Sequence, residues 1–324
     1  MTIDLSQLGN EDRLLFEIEL KPLQGDRFQP TGFPSLGAAT YKSGNGDCLL
    51  VESCQSMANR LEMVCWDESK NGPVGVLAGI SHVTVMRNNE FFTDSLLEAH
   101  RLNSPYMLEG TDRSFFNRIK EDCGGLDKGP IDRKKFTETL LKYDVGALIH
   151  GAFLAKKELA GGRLRLSRAL SAFIEAEGVQ VAASGGVKND HVNPSGNANK
   201  GFGNVPFHRD EFTANRIVCY ANLDLAQIRG YSLGGAVERL LILFSLYKLR
   251  KLFSGGLRLR TACDLKVAVD SISADKPSDF LLPSLEALEA DLPEAIRSCQ
   301  ERMTCVSVRY DDKLEKGSKD SGAA

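Results

Sequence analysis

The sequence is short of the patterns that mark a metal site, a disulfide framework or a membrane span. It contains only five histidines, and none is spaced with the eight cysteines as zinc ligands are. No C-x-x-C motif occurs, so the cysteines are predicted to be reduced and mostly buried. The longest apolar run, Leu240 to Leu249, is about half of what a bilayer span requires. We therefore expect no metal, no cofactor and no membrane partner.

Positive charge is not in excess either, but it is unevenly placed. The formal net charge is -3, which argues against a generic nucleic-acid binder, because affinity for phosphate needs local positive potential. The segment from Lys200 to Lys266, however, contains eleven Lys or Arg residues and five Asp or Glu residues, whereas the segment from Asp270 to Glu301 contains eight acidic and two basic residues. No charged and apolar leader opens the printed chain, so a cytoplasmic location is expected.

Hydrophobic periodicity predicts an α+β fold. The strands expected to form one sheet lie near 13–21, 145–154, 179–184, 215–224 and 264–269. Helices are expected at 51–66, after a capping box from Ser95 to Glu98, after an N-cap at Asp132, at 165–178 and in the long apolar stretch at 235–253. The polar tail, 311–324, is expected to be disordered.

A glycine-rich segment, 185–209, raises a question of its own. Its octet KGFGNVPF, which starts at Lys200, matches the first ribonucleoprotein signature of RRM domains except at Asn204. That signature has to lie on a central strand, but Pro206 cannot donate a hydrogen bond to a sheet and the glycines favour turns. We therefore predict a protruding loop or ribbon with Phe202 and Phe207 as its apolar tips.

Polar and basic side chains recur where they would suit phosphate and ribose contacts. Hydrogen-bond donors follow the first strand at Gln24, Arg27, Gln29 and Thr31. On the next helix, Ser53, Ser56 and Arg60 share one face, and Gln55 and Asn59 share a neighbouring one. Two basic clusters follow, at Arg163, Arg165 and Arg168 and at Lys248, Arg250, Lys251, Arg258 and Arg260. A polar face that packs against another protomer remains the alternative.

Signatures of catalysis are poor. The stretch GFGNVP fails G-x-G-x-x-G at its last glycine, and neither a P-loop nor G-x-S-x-G occurs. His82 and His150 lie among apolar residues and are interpreted as structural, whereas His208, beside Arg209, is better placed to meet an anion. Asp26 is a lone carboxylate that could act on RNA, although a loop aspartate is more often a turn residue.

Three stretches carry a resemblance to a known family: LKPLQGDRFQPTGFPSLGAATY (20–41), LLVESCQSMANRLE (49–62) and LLEAHRLNSPY (96–106). They resemble the backbone subunit of type I-G (I-U) CRISPR Cascade complexes, a member of the RAMP superfamily. The resemblance implies an RRM-like (ferredoxin-like) palm formed by 1–66, 143–184 and 210–310. It also implies an inserted finger domain at 67–142 and a glycine-rich thumb at 185–209.

The resemblance further implies a non-catalytic subunit of an antiviral surveillance complex. Copies of the chain would line up along one CRISPR RNA in a helical filament with other Cascade subunits, and the guide would pair with target DNA. The predicted RNA-binding residues are Gln24, Arg27, Phe28, Gln29, Thr31, Ser53, Gln55, Ser56, Asn59, Arg60, His100, Arg101, Arg165, Arg168, Lys200, Phe202, Phe207, His208, Arg258 and Arg260. Two alternatives are a guide-directed RNA nuclease using Asp26, as in related type III subunits, and an assembly protein without RNA contact.

Overall fold

The computed structural model of the chain describes residues 2–33, 37–44, 46–125 and 129–312. The tail predicted to be disordered therefore lies almost entirely outside the described residues. The α-helices are α1 (Cys54–Met63), α2 (Pro105–Leu108), α3 (Ser114–Asp122), α4 (Arg133–Tyr143), α5 (Val145–His150), α6 (Leu225–Gly230), α7 (Gly235–Ser254) and α8 (Leu285–Arg297).

Strands and helices follow one another in runs along the chain, which confirms the α+β class. They are β1 (Arg13–Pro22), β2 (Gly32–Phe33), β3 (Gly37–Ala38), β4 (Thr40–Ser43), β5 (Gly46–Glu52), β6 (Trp66–Asp67), β7 (Gly72–Pro73), β8 (Val83–Arg87), β9 (Glu90–Asp94), β10 (Ala152–Leu154), β11 (Leu164–Leu166), β12 (Leu170–Glu177), β13 (Gln180–Lys188), β14 (Val205–Thr213), β15 (Arg216–Asp224), β16 (Leu257–Arg260), β17 (Cys263–Val267) and β18 (Val306–Tyr310).

Seven strands form the main sheet, in the order β16-β17-β1-β15-β12-β5-β4, and all neighbours are antiparallel. The register places Arg13 opposite Asp224 and Leu170 opposite Leu223. The four central strands lie side by side in the order β17-β1-β15-β12. If they are numbered by their order along the chain, this arrangement is fourth, first, third, second. The first and second strands, β1 and β12, are therefore separated by the third, β15.

One face of this sheet is buried. Leu14, Phe16 and Ile18 of β1 alternate with more exposed residues, as the sequence period predicts, and Ile174 of β12 continues the apolar surface. Helix α1 packs against β12 and against α7, which is buried along most of its length. The long apolar stretch is thus a core helix, as predicted. No helix in the described ranges combines the length and apolarity needed to cross a membrane.

The opposite face of the sheet carries carboxylates at its centre. Phe173 and Tyr220 stack on each other there, with ring centroids 5.1 Å apart. Arg216 forms an ion pair with Glu17 at 3.3 Å. The glutamates that share this face are Glu17, Glu19, Glu175 and Glu177. An RRM domain stacks RNA bases on the open face of its sheet, but four carboxylates make this face a poor surface for a polyanion.

Two element assignments from the sequence are wrong. Residues 145–150 form α5 rather than a strand, because the Asp144 side chain accepts a hydrogen bond from the Ala147 N–H at 3.2 Å and starts a helical turn that Gly151 ends at φ +85°. Residues 170–177 form the strand β12 rather than a helix, with burial alternating at every second residue. A run that is apolar on all sides does not distinguish the two states.

The expected single sheet of five strands is also wrong, because β13 pairs with β14 in a separate two-stranded ribbon. The capping box at Ser95 fails as well. Its partner Glu98 accepts hydrogen bonds from Thr93 and Ser104, each at 2.7 Å, instead of starting a helix. The predicted helix after Asp132 is confirmed, since the Asp132 carboxylate caps two N–H groups of α4.

The region between α1 and α4 contains a buried ion pair that gives a pH prediction. His82 Nδ1 lies 2.7 Å from the fully buried Asp94 carboxylate, at the sheet that joins β8 to β9 and β18. Burial lowers the pKa of His82, but the hydrogen bonds to Asp94 and Cys305 outweigh it and raise the pKa to about 10. Because the folded value exceeds the ordinary value of 6.5, this stabilisation is complete below pH 6.5, declines above it and is lost beyond about pH 10.

We therefore expect His82→Gln to lower the free energy of unfolding most at low pH. The difference from the wild-type protein should shrink steadily from pH 6.5 to about 10, as measured by urea unfolding at each pH. Comparing the two proteins cancels the groups that titrate in this range and do not contact His82. A difference that stays constant from pH 6.5 to 10 would show that folding does not raise the pKa of His82.

Candidate nucleic-acid interface

The loop after β1 is fixed against the base of the ribbon. Phe28 forms an antiparallel bridge with Phe212 of β14, with both N–H to O=C distances at 2.9 Å. The exposed Arg27 donates to the Ala183 carbonyl of β13 at 3.3 Å. Phe28 itself is fully buried, so the prediction that it contacts RNA is corrected: its side chain belongs to the core.

Two clefts open beside this loop. The first, here the Arg27 cleft, has a volume of about 260 Å³ and is lined by Gln24, Arg27 and Arg258. The second, here the His208 cleft, has a volume of about 550 Å³ and is lined by residues of this loop, of the ribbon and of β16. They include Gln29, Thr31, His208 and Arg260. Seven of the predicted RNA-binding residues, which come from separate parts of the sequence, thus line the two clefts beside this loop.

One face of α1 forms a third cleft with the end of α7 and the start of β16, here the Asn59 cleft, of about 520 Å³. Ser53 caps the helix by accepting a hydrogen bond from the Ser56 N–H at 3.3 Å. Ser56, Asn59, Arg60 and Arg258 line the cleft, together with Lys251. Because Arg258 also lines the Arg27 cleft, the two clefts are neighbours. Within the described residues, the exposed Arg258 guanidinium has no ion-pair partner.

A buried carboxylate, Glu52 at the end of β5, organises this region and was missed by the sequence analysis. It is 1% exposed and lies 3.3 Å from the Arg60 guanidinium. It also accepts from Arg260 and from the Ser56 hydroxyl. Arg60 in addition donates to the Leu259 carbonyl at 2.8 Å, and Arg260 donates to the Gln29 carbonyl at 2.9 Å. Both arginines are therefore largely engaged inside the protein.

The residues of the second basic cluster predicted from the sequence lie in different surroundings: some are buried and others line the clefts. Lys248 is fully buried and donates to His150 Nε2 at 3.0 Å. Burial, with the nearby Lys248 charge, lowers the pKa of His150 well below its usual range, so the imidazole is a neutral acceptor. Arg250 donates to the Pro283 carbonyl at 2.8 Å. Only Lys251, Arg258 and part of Arg260 remain at the clefts.

A chain of side-chain contacts leads from α1 to the start of β12. Gln55 Nε2 lies 3.4 Å from Asn59 Oδ1, and Gln55 Oε1 accepts from Arg168. Arg168 lines a fourth cleft, here the His100 cleft, of about 320 Å³. The exposed Arg165 lies over the Phe153 ring, with its guanidinium 4.4 Å from the ring centroid.

Arg101 lines the same His100 cleft but is committed to a structural ion pair. Its guanidinium binds the Glu62 carboxylate through two contacts, at 2.5 and 2.7 Å. The Arg101 side chain is 11% exposed and that of Glu62 is 8% exposed. A bidentate pair of this kind satisfies both charges. The prediction that Arg101 contacts RNA stays a prediction, and this ion pair engages much of its guanidinium, whereas His100 beside it is exposed.

The octet that resembles an RRM signature does not lie on a central strand. Lys200 and Phe202 belong to the loop that joins β13 to β14, and Phe207 lies on β14, opposite Gly186. Both phenylalanines are about half exposed. The loop is closed by Asp190, whose carboxylate accepts from the Gly203 N–H at 2.8 Å. The ribbon expected from the glycine and proline content is confirmed.

The described part of the chain does not show a set of side chains suited to a metal ion. Within the described ranges, three or more His, Cys, Asp or Glu side chains do not come together in a way that could hold a metal ion. Asp26 is exposed in the loop after β1. The clefts are rich in guanidinium, amide and hydroxyl groups, which suit contacts with phosphate and ribose. His208 and Asp210 also line the His208 cleft, and Asp264 lines the Arg27 cleft.

Comparison with known proteins gives one family match. The family described as CRISPR-associated protein GSU0053 (Cas_GSU0053) matches residues 14–181, slightly more than half of the chain. The matched range contains the loop after β1, α1, and β12 with the arginines that precede it. The ribbon beyond Val181 and β16 lie outside this range. No curated protein matches the chain.

Two solved structures resemble the fold. A chain described as "CRISPR RNA-guided surveillance complex, pre-nicking" is 15% identical, with 90% of this chain and 85% of that chain covered and a TM-score of 0.39. Csc2 from Thermofilum pendens is 10% identical, with 93% and 79% covered and a TM-score of 0.33. At these values neither likeness identifies what this chain does.

Proposed function

Since the chain belongs to the family of CRISPR-associated protein GSU0053, we propose that it is a non-catalytic backbone subunit of a CRISPR surveillance complex of the Cascade type. Family membership agrees with the resemblance read from the sequence. In this role the chain binds the CRISPR RNA, lines up with copies of itself and other subunits along it, and leaves its bases free to pair with target DNA.

The observation that carries the proposal is the continuity of the clefts. Arg258 joins the Arg27 and Asn59 clefts, and the contacts from Asn59 through Gln55 to Arg168 lead on to the His100 cleft. Guanidinium, amide and hydroxyl groups therefore follow one another along the surface. Such groups can bind the sugar-phosphate backbone, whose contacts carry no sequence information, as a subunit that carries any guide requires.

The topology supports an RRM-like palm. The central strands β1, β12, β15 and β17 have the lateral order of a split βαβ sheet, with α1 in the first crossover and α7 in the second. We assign 1–66, 143–184 and 210–310 to the palm, 67–142 to inserted fingers and 185–209 to the thumb; at the end of the last palm range, β18 pairs with β8 of the fingers. The proposed thumb includes the outer part of the ribbon, with Phe202 and Phe207 available for contact with RNA or with a neighbouring copy.

The test is the nucleic acid that accompanies the protein. We expect the full chain, co-expressed with its partner subunits and a CRISPR array, to co-purify with a discrete RNA of guide length. The RNA would be extracted and sequenced. A complex that assembles without RNA would overturn the RNA-binding role and support a purely structural one.

The alternative of an RNA nuclease depends on Asp26, which is exposed beside Arg27. We expect the loaded complex to leave complementary RNA intact in the presence of Mg²⁺, and Asp26→Ala to bind guide as the wild-type protein does. Gel analysis of end-labelled RNA separates the two functions. Regularly spaced cuts that disappear in Asp26→Ala would make the chain an enzyme.

A further inference from the structure

We propose that a cleft which the sequence did not single out, between α4, α6 and the segment joining β11 to β12, is an additional binding site for phosphates of the single-stranded RNA. It is here called the Arg133 cleft. Its walls include Arg133, Lys134, Arg165, Ser167, Gln227 and Tyr231. This inference rests on the proposed RNA-binding function and extends it to a second region of the surface.

The size and charge of the Arg133 cleft fit a nucleotide of an RNA chain. Its volume is about 610 Å³, within the range of roughly 300–1,000 Å³ that is typical of ligand sites. Arg133, Lys134 and Arg165 contribute three positive charges, and the residues that line the cleft include no Asp or Glu. Three cations in a concave site attract a polyanion more strongly than the same charges on a flat surface.

These cations are not neutralised from outside the cleft. Within the described part of the chain, no carboxylate forms an ion pair with Arg133, Lys134 or Arg165. The neighbouring Asp132 accepts the N–H groups of Lys134 and Lys135 through one oxygen, at 3.0 and 3.1 Å, and thus acts as the N-cap of α4 rather than as an ion-pair partner of these cations. Arg165 lies over the Phe153 ring, which leaves its guanidinium N–H groups free to donate.

The polar wall of the cleft is already fixed. Gln227 Nε2 donates to the Ser167 carbonyl at 2.8 Å and to the Tyr231 hydroxyl at 2.6 Å, and Ser167 Oγ donates to Gln227 Oε1 at 2.9 Å. Tyr231 in turn donates to the Leu148 carbonyl at 2.8 Å. These bonds tie α6 to the segment before β12. A wall that is held in place binds a ligand without a large ordering cost.

The choice of RNA over a free nucleotide follows from continuity. Leu166 and Ser167 line both the Arg133 cleft and the His100 cleft, where Arg168 lies. A strand that follows the contacts from α1 to Arg168 therefore reaches Arg165 and the Arg133 cleft without leaving the protein surface. Phe153, 44% exposed beneath Arg165, offers a ring on which a base could stack along this path.

The experiment compares two double charge reversals of the full chain. One is Arg133→Glu with Lys134→Glu, and the matched control is Lys70→Glu with Arg297→Glu. The control residues are exposed, form ion pairs among the described residues only with acidic residues three positions away, and line none of the five clefts. Binding of a fluorescein-labelled single-stranded RNA is measured by anisotropy over a range of salt concentrations.

We expect the Arg133/Lys134 variant to bind RNA at least about tenfold more weakly at low salt, with the slope of log K against log[salt] reduced by about 1.4, or roughly 0.7 for each lost phosphate contact. The control should lose much less. Arg165→Ala, which removes one contact without reversing a charge, should reduce the slope by about 0.7 and guards against misfolding of the double variant. Circular dichroism checks the fold of each protein.

The outcomes separate this inference from the proposed function. Equal affinity and slope in the Arg133/Lys134 variant and its control would overturn the Arg133 cleft as an RNA site while leaving RNA binding itself intact. A wild-type protein that binds no RNA, alone or in its complex, would overturn both. AMP is the second probe: an AMP affinity that the variant loses, with RNA affinity unchanged, would assign the cleft to free nucleotides and overturn the RNA assignment.

Discussion

Replacing Glu52 with glutamine is expected to destabilise the folded chain by about 3 kcal/mol. The change preserves shape but removes the charge that lies between the Arg60 and Arg260 guanidinium groups, and one amide cannot serve both of them. We place the effect at the lower end for a broken buried ion pair, because both arginines keep backbone carbonyl partners. Urea unfolding followed by circular dichroism gives the value.

The matched control for Glu52 is Glu294→Gln, which also removes a carboxylate bound to an arginine. Glu294 and its partner Arg297 are both about two-thirds exposed, so water replaces the lost contact and the expected change is within about 0.5 kcal/mol. Equal effects in the two variants would show that Glu52 does not organise the interface. The same reasoning predicts that Arg60→Ala acts mainly on stability, because its guanidinium is already engaged.

Replacing Arg258 with alanine is expected to prevent assembly on the guide while leaving each subunit folded. Arg258 lies at the junction of two clefts, its side chain is exposed, and its guanidinium has no ion-pair partner in the described residues. Losing one phosphate contact of about 1 kcal/mol is modest in a single copy. Every copy along the guide carries the same change, however, so the losses add up along the RNA.

Analytical ultracentrifugation of the co-expressed complex, with quantification of its RNA, measures the effect of Arg258→Ala. We expect smaller particles with little guide, and a salt slope reduced by roughly 0.7 for each contact that a copy loses. The loss should be similar for guides of unrelated sequence. Arg297→Ala provides the control, since Arg297 is exposed on α8 and away from the clefts. Full-length particles with an unchanged slope would remove Arg258 from the interface.

The sequence predicted those elements whose pattern has only one interpretation. The alternation in β1 requires a half-buried strand, and the apolar length of α7 requires a buried helix. Residues 145–150 were misread because they are apolar on every side, and a short run of this kind fits a strand as well as a helix. The Asp144 side chain favours the helix over the strand, because it caps α5.

The sequence predicted many residues of the candidate interface but not how they are arranged. Residues from the loop after β1, from α1 and from β16 do converge, yet which cations stay free depends on carboxylates that are distant in the chain. Glu52 lies more than two hundred residues from Arg260, and Glu62 meets Arg101 through the tertiary fold. The available signal was a glutamate closing an apolar strand, as Glu52 does in LLVES, because a buried carboxylate needs a cationic partner.

The ribbon of β13 and β14 has a consequence for how the protein behaves when nothing covers it. An isolated pair of strands is marginally stable in water, and among the described residues only Phe28 extends this pair, at its base. Farther out, neither strand has another strand beside it among the described residues, and Val187, Val205 and Phe207 are each about half exposed. Open edges with apolar side chains promote strand addition between molecules, which Pro206 and Lys188 near the outer end oppose. The uncovered chain is therefore the form most prone to aggregate, so its solubility should rise once a partner covers the ribbon.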